Sequence, residues 1–181
     1  FLCFYYSIQI IRYKQPRDFR LFVLYFVLAA LTHYFALMAV AGLLLFMILY
    51  SLVCEREYFL TFYKYAVYAV ISYLPWLVVL CCQFAYLSSY GYWIPTISTN
   101  SVASIFKYVF SIKLIDGFDG IGMSLALMGL YLIVLFVNLF NKKIQTKQKW
   151  IALSGPFVMF FVIGMGLLIS VVLTPIFVER Y

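Results

Sequence analysis

The sequence predicts an all-α, polytopic integral membrane protein, and three observations carry that reading. Two thirds of the chain is apolar (67%), only 10% is charged, and the mean hydropathy is strongly positive, a balance no soluble domain of 181 residues shows. The run Leu21–Val53 holds no charged residue and one polar interruption, Thr32-His33-Tyr34. The lysines and arginines fall in groups that a membrane topology can sort to one side.

The long run decides the topology. As one helix Leu21–Val53 would extend about 50 Å, against a hydrocarbon core of about 30 Å. It is either one strongly tilted span or two short spans turning at Thr32-His33-Tyr34. A single crossing sorts the basic residues seven against six, which is no bias, whereas a double crossing sorts them ten against three. The hairpin is therefore the expectation, with helices over 21–31 and 35–53 and His33 at its extracytoplasmic tip.

The remaining elements follow in order. Phe1–Ile11 is too short to cross, at about 16 Å, and reads as the cytoplasmic end of a truncated span. The chain opens without Met inside an apolar run, so it is expected to be an excerpt of a longer protein. The basic turn Arg12–Arg20 follows, with Pro16 stopping the helix. After the hairpin, Glu55-Arg56-Glu57 and the aromatic run Tyr58–Tyr63 form a short cytoplasmic connection.

A span over 65–82 runs outward, with Pro75-Trp76 placed near its outer end. Residues 83–120 form an extracytoplasmic loop that starts with a turn over Tyr86–Pro95. Within it Asn100 or Ser101 caps a helix over Val102–Leu114, whose Val102, Ile105, Phe106, Val109 and Phe110 share one face. Such a helix lies in the membrane interface. Spans over 121–140 and 150–172 flank Asn141–Lys149, the strongest cytoplasmic anchor.

Most of the net charge of +7 sits in the cytoplasmic loops, where it sets orientation and meets anionic membrane lipid, so no nucleic acid is needed to explain it. Cys3, Cys54, Cys81 and Cys82 form no C-x-x-C pair and read as small apolar residues. Gly155, Gly164 and Gly166 read as sites of close helix packing.

Three candidate sites have both a functional and a structural reading. His33, the one histidine, could bind a phosphate, a metal or a sugar; its position favours an interfacial residue that stabilises the turn. Asp116 and Asp119 match no complete calcium loop and suit Asx turns. Arg180, beside Glu179, is either a phosphate ligand through its planar fork of donors or a snorkelling helix-end residue.

Four segments in order resemble one family. Leu31-Thr32-His33-Tyr34-Phe35-Ala36-Leu37 is similar to the T-H-Y-F segment of bacterial membrane glycosyltransferases of family thirty-nine type, relatives of the dolichyl-phosphate-mannose protein mannosyltransferases with the GT-C fold. Leu74-Pro75-Trp76, Tyr92-Trp93-Ile94-Pro95 and Pro175-Ile176-Phe177-Val178-Glu179-Arg180-Tyr181 follow in the family's order, so the resemblance covers essentially the whole chain.

It implies sugar transfer from a polyprenyl-phosphate donor to an acceptor on the extracytoplasmic face of a bacterial cytoplasmic membrane. It further implies Arg180 and His33 at the donor phosphate, and Tyr34, Trp93, Glu179 and Tyr181 lining the substrate site. The family's catalytic acid belongs to a loop that would precede Phe1, so no catalytic residue is assigned here. Inverting transfer needs a carboxylate on the acceptor and positive charge or a divalent metal on the departing phosphate; Arg180 could supply the charge, and the sequence points to no metal ligand set. The rival reading is a secondary transporter of a small polar solute, which also uses short interrupted spans. The absence of related halves and the long outer loop count against it.

Overall fold

The computed structural model describes residues 1–90 and 121–172, which are helical apart from short connections, with no strand among them. The helices are α1 (Leu2–Tyr13), α2 (Pro16–Ala30), α3 (Tyr34–Cys54), a 3-10 turn (Arg56–Tyr58), α4 (Phe59–Tyr90), α5 (Ile121–Phe140) and α6 (Thr146–Val172). Among the described residues three segments are long and apolar enough to cross a membrane: Tyr34–Cys54, Arg56–Gln83 and Thr146–Val172. The architecture is thus compatible with a membrane protein. At 15 residues, α2 is about 22 Å long and falls short of the hydrocarbon thickness.

The chain divides into two compact units, residues 1–90 with 145–165 and residues 91–144 with 166–181. In the first, α1 ends where Lys14 enters the left-handed region (φ 55°, ψ 28°) and its N–H donates to Ile10 O at 3.1 Å. Pro16 therefore does not stop a helix, contrary to the sequence expectation. It occupies the first position of α2, where its fixed φ suits the helix and its missing N–H leaves no donor unmade. Proline is a breaker inside a helix and a starter at its beginning, and composition alone does not separate the two.

The helix breaks again at the polar interruption. Leu31 N–H donates to Val27 O at 3.0 Å and Thr32 Oγ1 to Ala29 O at 2.7 Å, closing α2. Extended backbone at His33 (φ −164°, ψ 148°) then starts α3.

Helix α3 is the centre of this unit: 44% of its most apolar window is buried, against 17% in α4 and in α6. Helices α1, α2 and α4 pack on it or on each other. Phe22, Phe46 and Tyr50 are almost fully buried, and aromatic pairs knit the helices together. Phe19 meets Phe62 edge-on at 5.2 Å and stacks on Tyr65 at 4.8 Å; Phe46 contacts Trp150 at 5.4 Å and Phe157 at 5.3 Å. Inside lipid such packing, not the exclusion of water, holds helices together.

Helices α3 and α6 come close at Gly42, where a Cβ would lie 2.6 Å from Phe161 Cδ1. Gly164, expected to serve close packing, has nothing within 4 Å of where a Cβ would stand. Gly166 is buried, while Gly155 is exposed.

Three other boundaries differ from the sequence reading. The Tyr58–Tyr63 run is not a loop: the 3-10 turn and α4 absorb it, and Phe62 is buried. Helix α4 continues through Tyr90, so residues 83–90 are helical and Pro75 lies mid-helix, not near its end. The expected boundary followed the polar Gln83 and the Tyr/Ser/Gly-rich stretch after it, a change of composition that does not by itself end a helix. Helix α6 starts at Thr146, so Lys147 and Lys149 belong to a helix.

In the second unit, α5 closes with Asn141 N–H on Val137 O at 3.0 Å, followed by a turn in which Lys143 N–H donates to Asn141 Oδ1 at 2.9 Å. The expected turn over Tyr86–Pro95 is helical as far as Tyr90; its remainder and the interfacial helix over 102–114 lie outside the described residues.

Candidate functional site: an apolar groove and a charged junction

Two features of the first unit stand out, one at each end of its helices. The first is a groove of about 540 Å³ between α1, α2 and α3, with Phe4, Tyr25, Leu28, Thr32, Val40 and Leu43 among its walls. No charged side chain lines it. Its size falls within the range of ligand pockets, roughly 300–1,000 Å³, and its wall chemistry suits a hydrocarbon. The Thr32 hydroxyl at its rim is already donated to Ala29 O, so it adds little polarity.

Beside that rim is the turn that carries His33. Its Nδ1 accepts the Phe35 N–H at 3.2 Å, making the imidazole the N-cap of α3. That satisfies one of the donors a helix start leaves over. The ring stacks on Tyr34 at 4.2 Å and Phe35 at 5.6 Å. His33 is exposed and Tyr34 half-buried. Of the two readings the sequence left open, the turn-stabilising one has a visible structural basis, and it leaves Nε2 as the ring's other nitrogen.

The second feature centres on Glu55, which follows the last residue of α3. Its Oε2 accepts from Lys14 Nζ, and its Oε1 accepts from Lys147 Nζ at 2.9 Å and from Tyr50 Oη at 3.2 Å. Lys14 also stands 4.0 Å from the centroid of the Tyr58 ring. One carboxylate thus joins the end of α1, the end of α3 and the beginning of α6. Burial alone would raise the Glu55 carboxyl, but hydrogen bonds and charges from Lys14 and Lys147 outweigh it and hold it below the usual carboxylate range.

The junction was not foreseen, because its partners stand far apart in sequence. The only signal was an acid placed directly after an apolar helix. Of the residues proposed for a sugar-transfer site, the structure describes His33 and Tyr34. Trp93, Glu179, Arg180 and Tyr181 lie outside the described residues, as do Asp116 and Asp119. Among the described residues no group of three or more His, Cys, Asp or Glu side chains could hold a metal ion. No protein-family model, no curated protein and no solved structure matches the chain.

Proposed function

We propose that the chain belongs to a membrane glycosyltransferase of GT-C type that moves a sugar from a polyprenyl-phosphate donor to an acceptor on the extracytoplasmic face. One observation carries this reading: the groove between α1, α2 and α3, closed by Val158 of α6, that no charged side chain lines and that extends to Thr32, next to His33. An isoprenoid chain needs an apolar channel lying within the hydrocarbon layer, with its phosphate near the outer surface. The groove has that chemistry, and its rim lies at the end of α2 opposite the basic residues. In this reading Arg180 and His33 serve the donor phosphate, Tyr34, Trp93, Glu179 and Tyr181 line the substrate site, and any divalent metal would come with residues beyond those described.

The described walls of the groove suit a hydrocarbon better than a small polar solute. A polar solute needs convergent hydrogen-bonding groups, and these walls do not supply them.

The test uses a diazirine-bearing polyprenyl phosphate in proteoliposomes holding the full chain. Label should concentrate on α2 and α3 around Tyr25 and Val40, and Val40→Trp should reduce it severalfold by filling the groove. Labelling spread evenly over exposed α4 residues such as Val70 and Val78 would remove the basis for the proposal.

A further inference from the structure

The first unit is electrically lopsided. The Glu55 junction brings the ends of α1 and α3 and the start of α6 to one place, and short connections add the starts of α2 and α4. That end therefore carries Arg12, Lys14, Arg17, Arg20, Arg56, Lys64, Lys147 and Lys149. The acids near it are Asp18, Glu55 and Glu57. Glu55 is already engaged by two lysines, so it neutralises none of the others. Arg12, Arg17, Arg20, Arg56 and Lys64 are exposed, whereas Asp18 is half-buried.

The other ends are bare by comparison. No Lys or Arg occurs between Arg20 and Arg56, or between Lys64 and Lys107. The cations thus gather at one end of the helices. Tyr58, Tyr63 and Tyr68 stand among them, all exposed, and tyrosines favour the headgroup region.

We propose that this basic collar is a binding surface for anionic phospholipid headgroups of the cytoplasmic leaflet. Arginine forks match phosphate oxygens in pairs, and each basic residue held near an anionic surface strengthens attachment roughly fivefold. The occupant is the lipid itself: the cations ring an apolar bundle whose α4 presents Leu60, Val70, Ile71 and Leu74 outward. A headgroup can be held at the collar only while its acyl chains cover that surface.

The test exploits Trp150, whose ring lies 5.8 Å from that of Tyr50 at the junction. In the full chain with Trp76→Phe and Trp93→Phe, quenching of Trp150 is titrated with brominated phosphatidylglycerol and with brominated phosphatidylcholine. Phosphatidylglycerol should quench at a severalfold lower lipid fraction, and high salt should erase the difference. Arg17→Gln with Arg20→Gln should lose roughly fivefold of the preference per charge removed. Asp18→Asn should raise it, which keeps the test decisive should the double variant lose helicity by circular dichroism. Equal quenching by both lipids, or an Asp18→Asn preference that stays the same or falls, would overturn the assignment.

Discussion

Lys14 donates its ammonium proton to Glu55 Oε2, tying the left-handed residue that ends α1 to the residue that follows α3, 41 positions later. Both side chains are largely buried, with 18% and 13% of their surfaces exposed. Lys147 completes the arrangement from α6, so one carboxylate fixes the relative positions of three helix ends.

Removing that carboxylate strands cations in a half-dry site. Glu55→Ala should destabilise the fold by about 2–4 kcal/mol, somewhat below the roughly 3–5 kcal/mol of a fully buried pair because Lys147 keeps 43% of its side-chain surface exposed. Replacing both partners, as Lys14→Met with Glu55→Leu, should cost less than the sum of the single changes. Thermal unfolding in micelles, run as a double-mutant cycle, measures the difference. Additive losses would mean that the pair is not coupled.

The same carboxylate predicts an acid response. Its folded pKa is depressed below that of the unfolded chain, about 4.3 for a free glutamate. Its stabilisation is therefore complete above that value and is lost as pH falls through the folded value. Melting temperature should hold steady from neutral pH to about pH 5 and drop below it. Glu55→Gln should flatten that drop. An unchanged acid limb in Glu55→Gln would assign it to other carboxylates.

The glycines offer an opposed pair. A methyl group at Gly42 collides with three atoms of Phe161, including its Cβ at 3.3 Å, so the neighbour cannot swing clear by rotating its ring alone. Gly42→Ala should cost about 1–3 kcal/mol, and Phe161→Ala in the same chain should recover part of it. Gly164→Ala meets open space and should gain up to about 1 kcal/mol from helix propensity. Resistance to denaturation in micelles ranks the variants.

These cases show what could be read from the sequence. The helix break at Thr32-His33 was legible because polar residues interrupt an apolar run too long for one bilayer. The all-helical class was legible from composition. Pro16 was misread because the same residue starts one helix as readily as it stops another. Gly42 was missed and Gly164 overvalued because the facing neighbour depends on how helices rotate against each other. Glu55 was passed over as part of a connection, since neither Lys14 nor Lys147 is near it in sequence. The groove was hidden for the same reason: its walls come from separate helices, and each wall residue alone is an ordinary apolar side chain.

His33 can be assigned by separating its two roles. His33→Ala should cost about 1 kcal/mol through loss of the N-cap, and His33→Asn should restore stability. If His33 also serves the donor phosphate, His33→Asn will be stable yet poor in donor use. Full sugar transfer by His33→Asn would leave the residue a helix cap alone.

Both the donor groove and the lipid-binding collar require the two ends of the first unit to lie on opposite sides of a membrane, the basic collar inside and the His33 turn outside. Thr32 and Gln145 are both exposed, so each accepts a cysteine without disturbing the core. In intact cells a membrane-impermeant maleimide should label Thr32→Cys directly, in a chain whose four native cysteines are replaced. Gln145→Cys should react only after permeabilisation. Labelling of both positions from the same side would contradict the topology, and with it the placement of the groove and of the collar.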